Sequence, residues 1–226
     1  MEEVSRQGGR VCVLVSGGVE SSVLLSEALN TYDEVTPVYV KHGLRWEYAE
    51  IFWLKKFLWR LKSSKIRLPE YLDLNMRDIY TGHWSITGSK VPGADSTDDA
   101  VYLPGRNLIL LTKVAIFAAL RGIPVIEIGL LKTNPFPDAS AKFIKKISEA
   151  LSAGLGKPLT VEIPFSRLKK DEVILKGKKL PLELTFSCIN PKGYDHCGDC
   201  NKCVERKKAF FAAGIFDKTK YRKSGV

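Results

Sequence analysis

Apolar residues alternate along this chain between short unbroken runs and longer stretches with helical spacing. Residues 11–15 form the first run, and three of these five residues are β-branched, which is typical of a strand buried on both faces of a sheet. A stretch with helical spacing follows, with apolar residues at Val23, Leu24, Leu25, Ala28 and Leu29. The same alternation predicts further strands over residues 35–40, 66–74, 124–130 and 159–164, and further helices over residues 46–61, 102–120, 139–151 and around 169–172.

Strands that alternate with helices predict a mostly parallel sheet with helices on both faces, so we expect a doubly wound α/β fold. The third strand contains Pro69, which favours an edge position in the sheet. Ligands bind beyond the carboxyl ends of the strands in such folds. We therefore expect the loops at Ser16, His42, Lys132 and Ser166, which all follow predicted strands, to converge on one cleft.

Three of the predicted helices carry further signals. Asp138 is predicted to cap the helix over residues 139–151, and Ser166 to cap the next one. Residues 46–61 carry more apolar surface than one core-facing stripe needs, so this helix either packs against a second subunit or is deeply buried.

The segment over residues 76–100 is polar and long for a connection, which is typical of a functional or mobile loop. We interpret its histidine, His83, as structural, because no second histidine has metal-ligand spacing to it. Its aspartates, Asp95, Asp98 and Asp99, either share a metal ion near a phosphate site or form a solvated acidic loop, which we favour.

Composition places few limits on function. At 226 residues, with 45% hydrophobic and 27% charged residues, the chain suits one soluble globular domain over residues 1–226. Residues 1–9 do not resemble a signal peptide and no segment is apolar enough to span a bilayer, so we expect a cytoplasmic protein without a membrane partner. The net charge of +10 fits an anionic partner, but the basic residues are scattered. A solvated basic surface is therefore the favoured interpretation, and a nucleic-acid partner stays open.

The turn after the first strand has the composition of a phosphate site. Gly17 and Gly18 allow close approach of the backbone to a ligand, and the hydroxyls of Ser16 and the Ser21–Ser22 pair are further donors. Glu20 adds one carboxylate that can share a metal ion, so the pattern predicts a site for nucleotide phosphates and Mg²⁺. The loop lacks the lysine of a Walker A motif. An ordinary glycine turn is the alternative.

Four of the five cysteines are clustered near the end of the chain, at Cys188, Cys197, Cys200 and Cys203. Overlapping Cys-x₂-Cys pairs present thiolates to one tetrahedral ion, and disulfides are not expected in a cytosolic protein. We predict zinc in preference to an iron–sulfur cluster, and a structural role because four thiolates close the coordination shell. Cys12, inside the first strand, is interpreted as a small buried hydrophobe.

The Ser-Gly-Gly loop resembles that of the ATP pyrophosphatases, which cleave ATP between its α and β phosphates. Together with Pro104-Gly105-Arg106-Asn107 and the cysteine cluster, it makes the chain similar to the 7-cyano-7-deazaguanine synthases of the QueC/ExsB type. This resemblance implies an adenine nucleotide alpha hydrolase-like core over residues 10–180 and a zinc knuckle with a helical segment over residues 185–226. It also implies a homodimeric, ATP-dependent ligase that joins 7-carboxy-7-deazaguanine to ammonia and converts the amide to a nitrile.

The resemblance assigns roles to individual residues. The pyrophosphate would be held by Val15, Ser16, Gly17, Gly18, Ser21 and Ser22, with Mg²⁺ on Glu20. Arg106 and Lys170 would be catalytic, because they offset phosphate charge in the transition state. Zinc would be held by Cys188, Cys197, Cys200 and Cys203.

Departures from the family pattern are concentrated on the substrate side. The family's Gln-Arg-His is replaced by Leu44-Arg45-Trp46 after Gly43, and one family aspartate is Asn134 here. Arg45, Asn134 and Asp138 are the substrate-binding candidates. Three alternatives therefore stay open: a relative that adenylates another carboxylate, stops at the amide or conjugates the deazaguanine to another partner; a tRNA-modifying thiolase; and a non-catalytic zinc-knuckle nucleic-acid module.

Overall fold

The computed structural model describes residues 8–222, so the first seven residues of the polar N-terminal segment and the last four residues of the predicted zinc segment lie outside it. Five strands form one sheet: β1 (Arg10–Leu14), β2 (Glu34–Lys41), β3 (Glu70–Asp73), β4 (Val125–Ile128) and β5 (Thr160–Glu162). Seven α-helices accompany them in the described range: α1 (Val19–Thr31), α2 (Glu47–Arg60), α3 (Trp84–Thr87), α4 (Arg106–Leu120), α5 (Ala141–Leu155), α6 (Lys170–Lys176) and α7 (Asn201–Ala212).

Every strand pair in the sheet is parallel, and the strand order is β3-β2-β1-β4-β5. Side chains alternate across the central strand β1. Val11 and Val13 pack into a core with α1 and α6, whereas Cys12 and Leu14 pack into a second core with α4 and α5. Helices therefore cover both faces, which confirms the doubly wound α/β prediction.

The strand order reverses between β1 and β4, and this is the point at which doubly wound sheets open a crevice at the carboxyl ends of their strands. The loops after β1, β2 and β4 meet there, as predicted, but Lys132 itself does not line the cleft and neither does the turn at Ser166 after β5. β3 begins immediately after Pro69 and lies at the sheet edge, also as predicted.

Both predicted helix caps are wrong. α5 is capped by Ser140, whose hydroxyl accepts the Phe143 N–H, because a short 3-10 helix over Pro137–Ala139 precedes it. α6 begins after Lys169, whose backbone N–H donates to the Glu172 carboxylate at 2.7 Å, and Ser166 lies one turn too early.

The surplus apolar surface of α2 is largely used within the chain. Phe57 is buried in the core, and the Phe52 ring lies 4.4 Å from the Tyr194 ring of the cysteine-rich segment. Trp53 donates its indole N–H to the Tyr194 carbonyl at 2.6 Å. Trp59 stays 76% exposed. This helix therefore joins the sheet to the cysteine-rich segment.

The long polar segment over residues 76–100 is ordered around α3. It contributes Met76 and Tyr80 to a third hydrophobic core. Other members of this core come from earlier and later parts of the chain, including the cysteine-rich segment from residue 185 onward: Leu44, Trp46, Val101, Leu103, Phe186 and the four clustered cysteines. Its backbone also pairs with that segment, because the Asn201 N–H donates to the Pro92 carbonyl at 3.0 Å. Across residues 8–222, no helix combines the length and apolar character that a membrane span requires.

Candidate active site

The Ser-Gly-Gly loop connects β1 to α1 at the crevice. Its conformation is fixed by short polar contacts: the Gly18 N–H donates to the Ser16 hydroxyl at 3.3 Å, and the Ser16 N–H donates to the Ser21 hydroxyl at 3.2 Å. Gly17 has a φ of +78°, which favours glycine. The loop therefore directs the N-terminus of a 13-residue helix toward the cleft, and a helix N-terminus binds anions.

Gly129, after β4, allows that helix to lie close to the neighbouring strand. A Cβ atom at this position would lie 3.3 Å from the Ser21 backbone nitrogen and 3.3 Å from the Glu20 Cβ. The close approach places the loops after β1 and β4 on opposite walls of a cleft of about 300 Å³.

The predicted nucleotide residues occupy different positions relative to this cleft. Those that line it are Val15, Ser16, Gly18, Glu20, Ser21, Arg106 and Lys170. Gly17 shapes the loop from behind, where an added Cβ would meet the Glu50 carbonyl at 3.2 Å. Ser22 is buried beneath the loop, and its hydroxyl has no hydrogen-bond partner within residues 8–222.

Lys170 lies between two carboxylates and is only 11% exposed. Its ammonium nitrogen is 2.9 Å from Glu20 and 3.2 Å from Glu205, and Glu205 also contacts Lys202 at 2.8 Å. Burial alone would lower the pKa of Lys170, but the two carboxylates outweigh it and raise this pKa. Burial would likewise raise the pKa of Glu205, whereas Lys170 and Lys202 hold it at about 2. The charges form one network from α1 through α6 to α7.

Arg106, the first residue of α4, follows Gly105, whose φ of +73° turns the chain into the helix. Its Nε–H donates to the His42 Nε2 at 3.0 Å. His42 lies just beyond β2, and its other ring nitrogen is 3.5 Å from the Glu47 carboxylate. The two cations that line the cleft therefore have different partners. Lys170 contacts two carboxylates, and Arg106 donates to an imidazole.

A buried carboxyl group, Glu50, lines the cleft from α2. It accepts hydrogen bonds from the Tyr39 hydroxyl at 2.7 Å and from the Trp46 indole at 3.1 Å. Burial raises the pKa of Glu50 to about 7, and the nearby charge of Arg106 limits the rise. Glu50 is thus poised between its neutral and charged forms at neutral pH.

Aromatic rings line the part of the cleft beside α3 and the loop after β4. Trp46 stacks on Trp84 with 5.5 Å between ring centroids, and Tyr102 stacks on Phe136 at 4.9 Å. Flat apolar walls of this kind suit a planar ring system.

The three substrate-binding candidates separate in the structure. Asn134 and Asp138 line the cleft, and the Asp138 carboxylate accepts the backbone N–H of Asn107 at 2.9 Å. Asp138 therefore caps α4 rather than α5. Arg45 is exposed, donates to the Thr87 carbonyl at 3.2 Å and is not among the residues that line the cleft.

The four clustered cysteines bring their sulfur atoms within 4.8 Å of one another, and all four are buried. Sγ–Sγ separations are 3.5 Å for Cys188–Cys197, 3.8 Å for Cys188–Cys200 and 3.9 Å for Cys197–Cys203. Four buried thiols at this spacing fit one metal ion. Arg206, with 0% exposure, ties the helix after them to Thr185, Thr219 and the Leu182 carbonyl.

Comparison with known proteins identifies the family. A family model described as "Queuosine biosynthesis protein QueC" matches residues 10–214. The chain belongs to the QueC family. A curated 7-cyano-7-deazaguanine synthase of Pyrococcus furiosus is 33% identical over 232 residues, which cover 94% of this chain and 96% of that protein. One of Methanocaldococcus jannaschii is 30% identical, with coverage of 94% and 99%. These members of the family match nearly full length.

Solved structures offer weaker likenesses. The U34-tRNA thiolase NcsA of Methanococcus maripaludis has a TM-score of 0.48 and 15% identity over 91% of this chain and 65% of that chain. A 4-thiouridine synthetase in complex with RNA and ATP also has a TM-score of 0.48, with 16% identity over 91% and 50% of the two chains.

Several cleft residues were not anticipated as such from the sequence: Tyr39, Glu50, Trp84, Tyr102, Lys202 and Glu205. One of them carried a weak signal, because Glu50 is a carboxylate one helical turn after Trp46 and stands between the apolar residues Ala49 and Ile51. Lys202 lies inside the last Cys-x₂-Cys pair and Glu205 two residues beyond it, and neither carried a signal of its own.

Proposed function

We propose that this protein is an ATP-dependent carbon–nitrogen ligase that converts 7-carboxy-7-deazaguanine to 7-cyano-7-deazaguanine. The observation that carries the proposal is the Ser-Gly-Gly loop at the switch point, which lines one cleft together with Lys170 and stacked aromatic rings. The curated QueC-family relatives that share this chain's length bear the name of that synthase.

Adenylation solves the chemical problem that the acid presents. A carboxylate oxygen attacks the α phosphorus of ATP, and pyrophosphate leaves with the electron pair of the broken bond. Ammonia then attacks the acyl carbon, AMP leaves with the former carboxylate oxygen, and one proton is released to give the amide. In the second round the amide oxygen attacks the α phosphorus of another ATP and pyrophosphate leaves. AMP then leaves with the former amide oxygen, and the loss of both N–H protons gives the nitrile.

We infer roles for the loop from its contacts. Ser16, Ser21 and the N–H groups that open α1 hold the departing pyrophosphate, Val15 and Gly18 form the floor beside it, and Gly17 and Ser22 set the shape of the turn. Arg106 and Lys170 offset the negative charge that develops on the phosphates.

Mg²⁺ fits the oxygen donors of this loop. Magnesium binds through one or two carboxylates and the substrate phosphates, and Glu20 supplies one carboxylate at the cleft. When bound, the ion neutralises phosphate charge. Glu20 would exchange its contact with Lys170 for the metal, which would leave Lys170 free to contact a phosphate.

Zinc fits the cysteine cluster better than an iron–sulfur cluster does. A zinc–sulfur distance of about 2.3 Å places the sulfurs of a tetrahedral site about 3.8 Å apart, and the three shortest separations lie between 3.5 and 3.9 Å. A four-iron cluster binds each cysteine to a different iron and needs a wider set. The four thiolates leave no open position, so the zinc is structural.

A tRNA thiolase is the less favoured function. Such an enzyme requires a reactive cysteine outside the metal cluster. Cys12 is the fifth cysteine of this chain and the one that lies outside the cluster. Cys12 is fully buried in β1, and burial raises its pKa to about 12, so it supplies no thiolate.

A second candidate is a relative of the synthase that adenylates another carboxylate or stops at the amide. It is favoured by Asn134 in the substrate wall and by the engagement of the Asp138 carboxylate with Asn107. Both features reduce the acceptors open to the N–H groups of a deazaguanine ring.

Mass spectrometry of the product separates these candidates. The full chain is incubated with ATP, Mg²⁺, ammonium and 7-carboxy-7-deazaguanine. The proposal expects the nitrile, and an amide that accumulates supports a relative that stops at the amide. Unchanged acid with ATP intact contradicts the proposal and leaves only a relative that adenylates another carboxylate. A tRNA filter-binding assay at varied salt tests the nucleic-acid alternative.

We also propose that the protein is a cytoplasmic homodimer, as the family resemblance implies. Support comes from α4, which leaves Leu108, Ile116 and Leu120 in one exposed row. Sedimentation of the wild-type chain and a Leu120→Glu variant tests this point, because a dimer that uses this row should dissociate in the variant.

A further inference from the structure

His42 meets Arg106 in a way that fixes its chemistry. His42 is 2% exposed, and its Nε2 lies 3.0 Å from the Arg106 Nε. Every guanidinium nitrogen of arginine donates and none accepts. The His42 Nε2 must therefore offer its lone pair, so the ring is neutral and carries its proton on Nδ1.

The far side of the ring faces a carboxylate, although the buried Nδ1 makes no hydrogen bond within residues 8–222. Nδ1 lies 3.5 Å from Glu47, whose carboxylate also accepts the backbone N–H groups of His42 at 2.6 Å and Gly43 at 2.9 Å. Burial and the neighbouring Arg106 charge lower the pKa of His42 to about 4, which agrees with a neutral ring at neutral pH. Glu47 therefore places negative charge beside the protonated Nδ1, and the hydrogen bond at Nε2 sets the direction of the guanidinium.

A neutral partner leaves Arg106 without an ion pair, although the buried Glu50 carboxyl is near enough for its pKa to be lowered by the Arg106 charge. No carboxylate among residues 8–222 lies within salt-bridge distance of Arg106, whereas Lys170 contacts two. A carboxylate partner would orient Arg106 but would also compete with an anionic ligand. An imidazole orients it without that competition.

We propose that His42 is a positioning residue that holds Arg106 with its full charge available to an anionic oxygen of the ligand. The inference rests on the proposed function, since the charge of Arg106 has a role only when an anionic ligand binds in this cleft. The anionic oxygen belongs either to a phosphate of ATP or to the carboxylate of the acid.

Three substitutions of His42 distinguish the effect of its hydrogen-bond acceptor on Arg106 from the effect of its ring shape. His42→Phe keeps the ring and removes both nitrogens. His42→Gln places a carbonyl oxygen near the Nε2 position, so it restores the acceptor, whereas His42→Asn reaches only the Nδ1 position. Thermal unfolding of each full-length variant checks the fold.

Calorimetric titration with Mg²⁺-ATP, and separately with 7-carboxy-7-deazaguanine, identifies the ligand that Arg106 serves. We expect His42→Phe and His42→Asn to weaken binding of one of the two by about tenfold, and His42→Gln to stay within about threefold of wild type. In an Arg106→Ala background, His42→Phe should add less than about twofold, because the two residues act as one unit.

Unchanged binding of both ligands by the Phe variant overturns the proposal, and so does an equal loss in the Arg106→Ala background. Should the Phe variant not fold, the contrast between Gln and Asn decides in the same way. If wild type binds ATP but not the acid, the proposed function fails, and the ATP titration alone decides the role of His42.

Discussion

The ammonium nitrogen of Lys170 lies 2.9 Å from a carboxylate oxygen of Glu20, and this contact joins α6 to the first turn of α1 beside the Ser-Gly-Gly loop. Glu205 contacts the same ammonium from α7, at 3.2 Å. The helix that follows the cysteine cluster thereby reaches the nucleotide site. The segment that carries the four clustered cysteines therefore also supplies charged side chains, Lys202 and Glu205, to the cleft.

Replacing Glu205 by Gln should destabilise the protein at neutral pH by about 2 kcal/mol, allowing for partial exposure. The pKa of this carboxyl is about 2 in the folded protein against an ordinary value of 4.5. Its stabilising effect is therefore present above about pH 4.5 and is lost as the pH falls toward 2.

Urea unfolding of wild type and Glu205→Gln at pH 7 and pH 3.5 measures this effect. The difference between the two proteins should shrink at the lower pH. Glu149→Gln is the matched control, because Glu149 makes only an exposed pair with Lys145 at 4.0 Å. A difference that is the same at both pH values would show that the charge of Glu205 is not the cause.

A second carboxyl group should have the opposite pH dependence. Burial raises the pKa of Glu127 to about 7, the like charge of Glu162 on the adjacent strand raises it further, and the Tyr32 hydroxyl that donates to Glu127 at 3.2 Å limits the rise. The folded protein binds this proton more tightly than the unfolded chain does. Stability from this group is thus full below about pH 4.5 and lost as the pH rises through 7.

Glu127→Gln removes that titration, so its stability relative to wild type should improve between pH 5 and pH 8, by up to about 3 kcal/mol. Urea unfolding at the two pH values is the measurement. If the free energy of unfolding differs between the variant and wild type by the same amount at pH 5 and pH 8, Glu127 is not protonated in the folded protein.

The cysteine cluster should bind about one metal ion per chain, and Cys200→Ala should abolish tight binding and cost several kcal/mol of stability. Elemental analysis and thermal unfolding measure the two effects. Cys12→Ala, which also removes a buried thiol, should keep its metal. A folded, stable and fully active Cys200→Ala protein would contradict a structural zinc site.

Ser16→Ala should lower kcat/KM for ATP by on the order of 10²-fold, because its hydroxyl both orders the loop and faces the departing pyrophosphate. Steady-state kinetics with varied ATP gives the value. Ser26→Ala, on the same helix but away from the cleft, should leave the rate within about twofold. Equal rates for the two variants would remove the loop serine from the mechanism.

Local signals in the sequence were sufficient for much of the fold. The β-branched run of β1, its glycine turn and the cysteine spacing each depend on residues close together in the chain, so they could be predicted. The helix caps could not. Asp138 and Ser140 are both good capping residues. Because a 3-10 helix over Pro137–Ala139 delays the start of α5, Ser140 caps α5, and the Asp138 carboxylate instead accepts the Asn107 N–H of α4.

The contacts between side chains in the cleft could not be predicted from the sequence, for a different reason. His42 meets Arg106 and Lys170 meets Glu20 only because the parallel sheet brings its carboxyl ends to one edge, across long separations in sequence. A residue's type restricts what it can do, but its partner depends on packing. Arg45 illustrates this, because its side chain turns to Thr87 and leaves the cleft wall to Trp46.

The most direct test of adenylation follows oxygen from the acid into AMP. 7-Carboxy-7-deazaguanine labelled with ¹⁸O at both carboxylate oxygens is incubated with the wild-type enzyme, ATP, Mg²⁺ and ammonium, and the nucleotides are analysed by mass spectrometry. We expect AMP and pyrophosphate, with one ¹⁸O in the AMP formed with the amide and a second ¹⁸O in the AMP formed with the nitrile. ADP with labelled inorganic phosphate, or AMP without label, would contradict an adenylating ligase even if the fold and the metal site are correct.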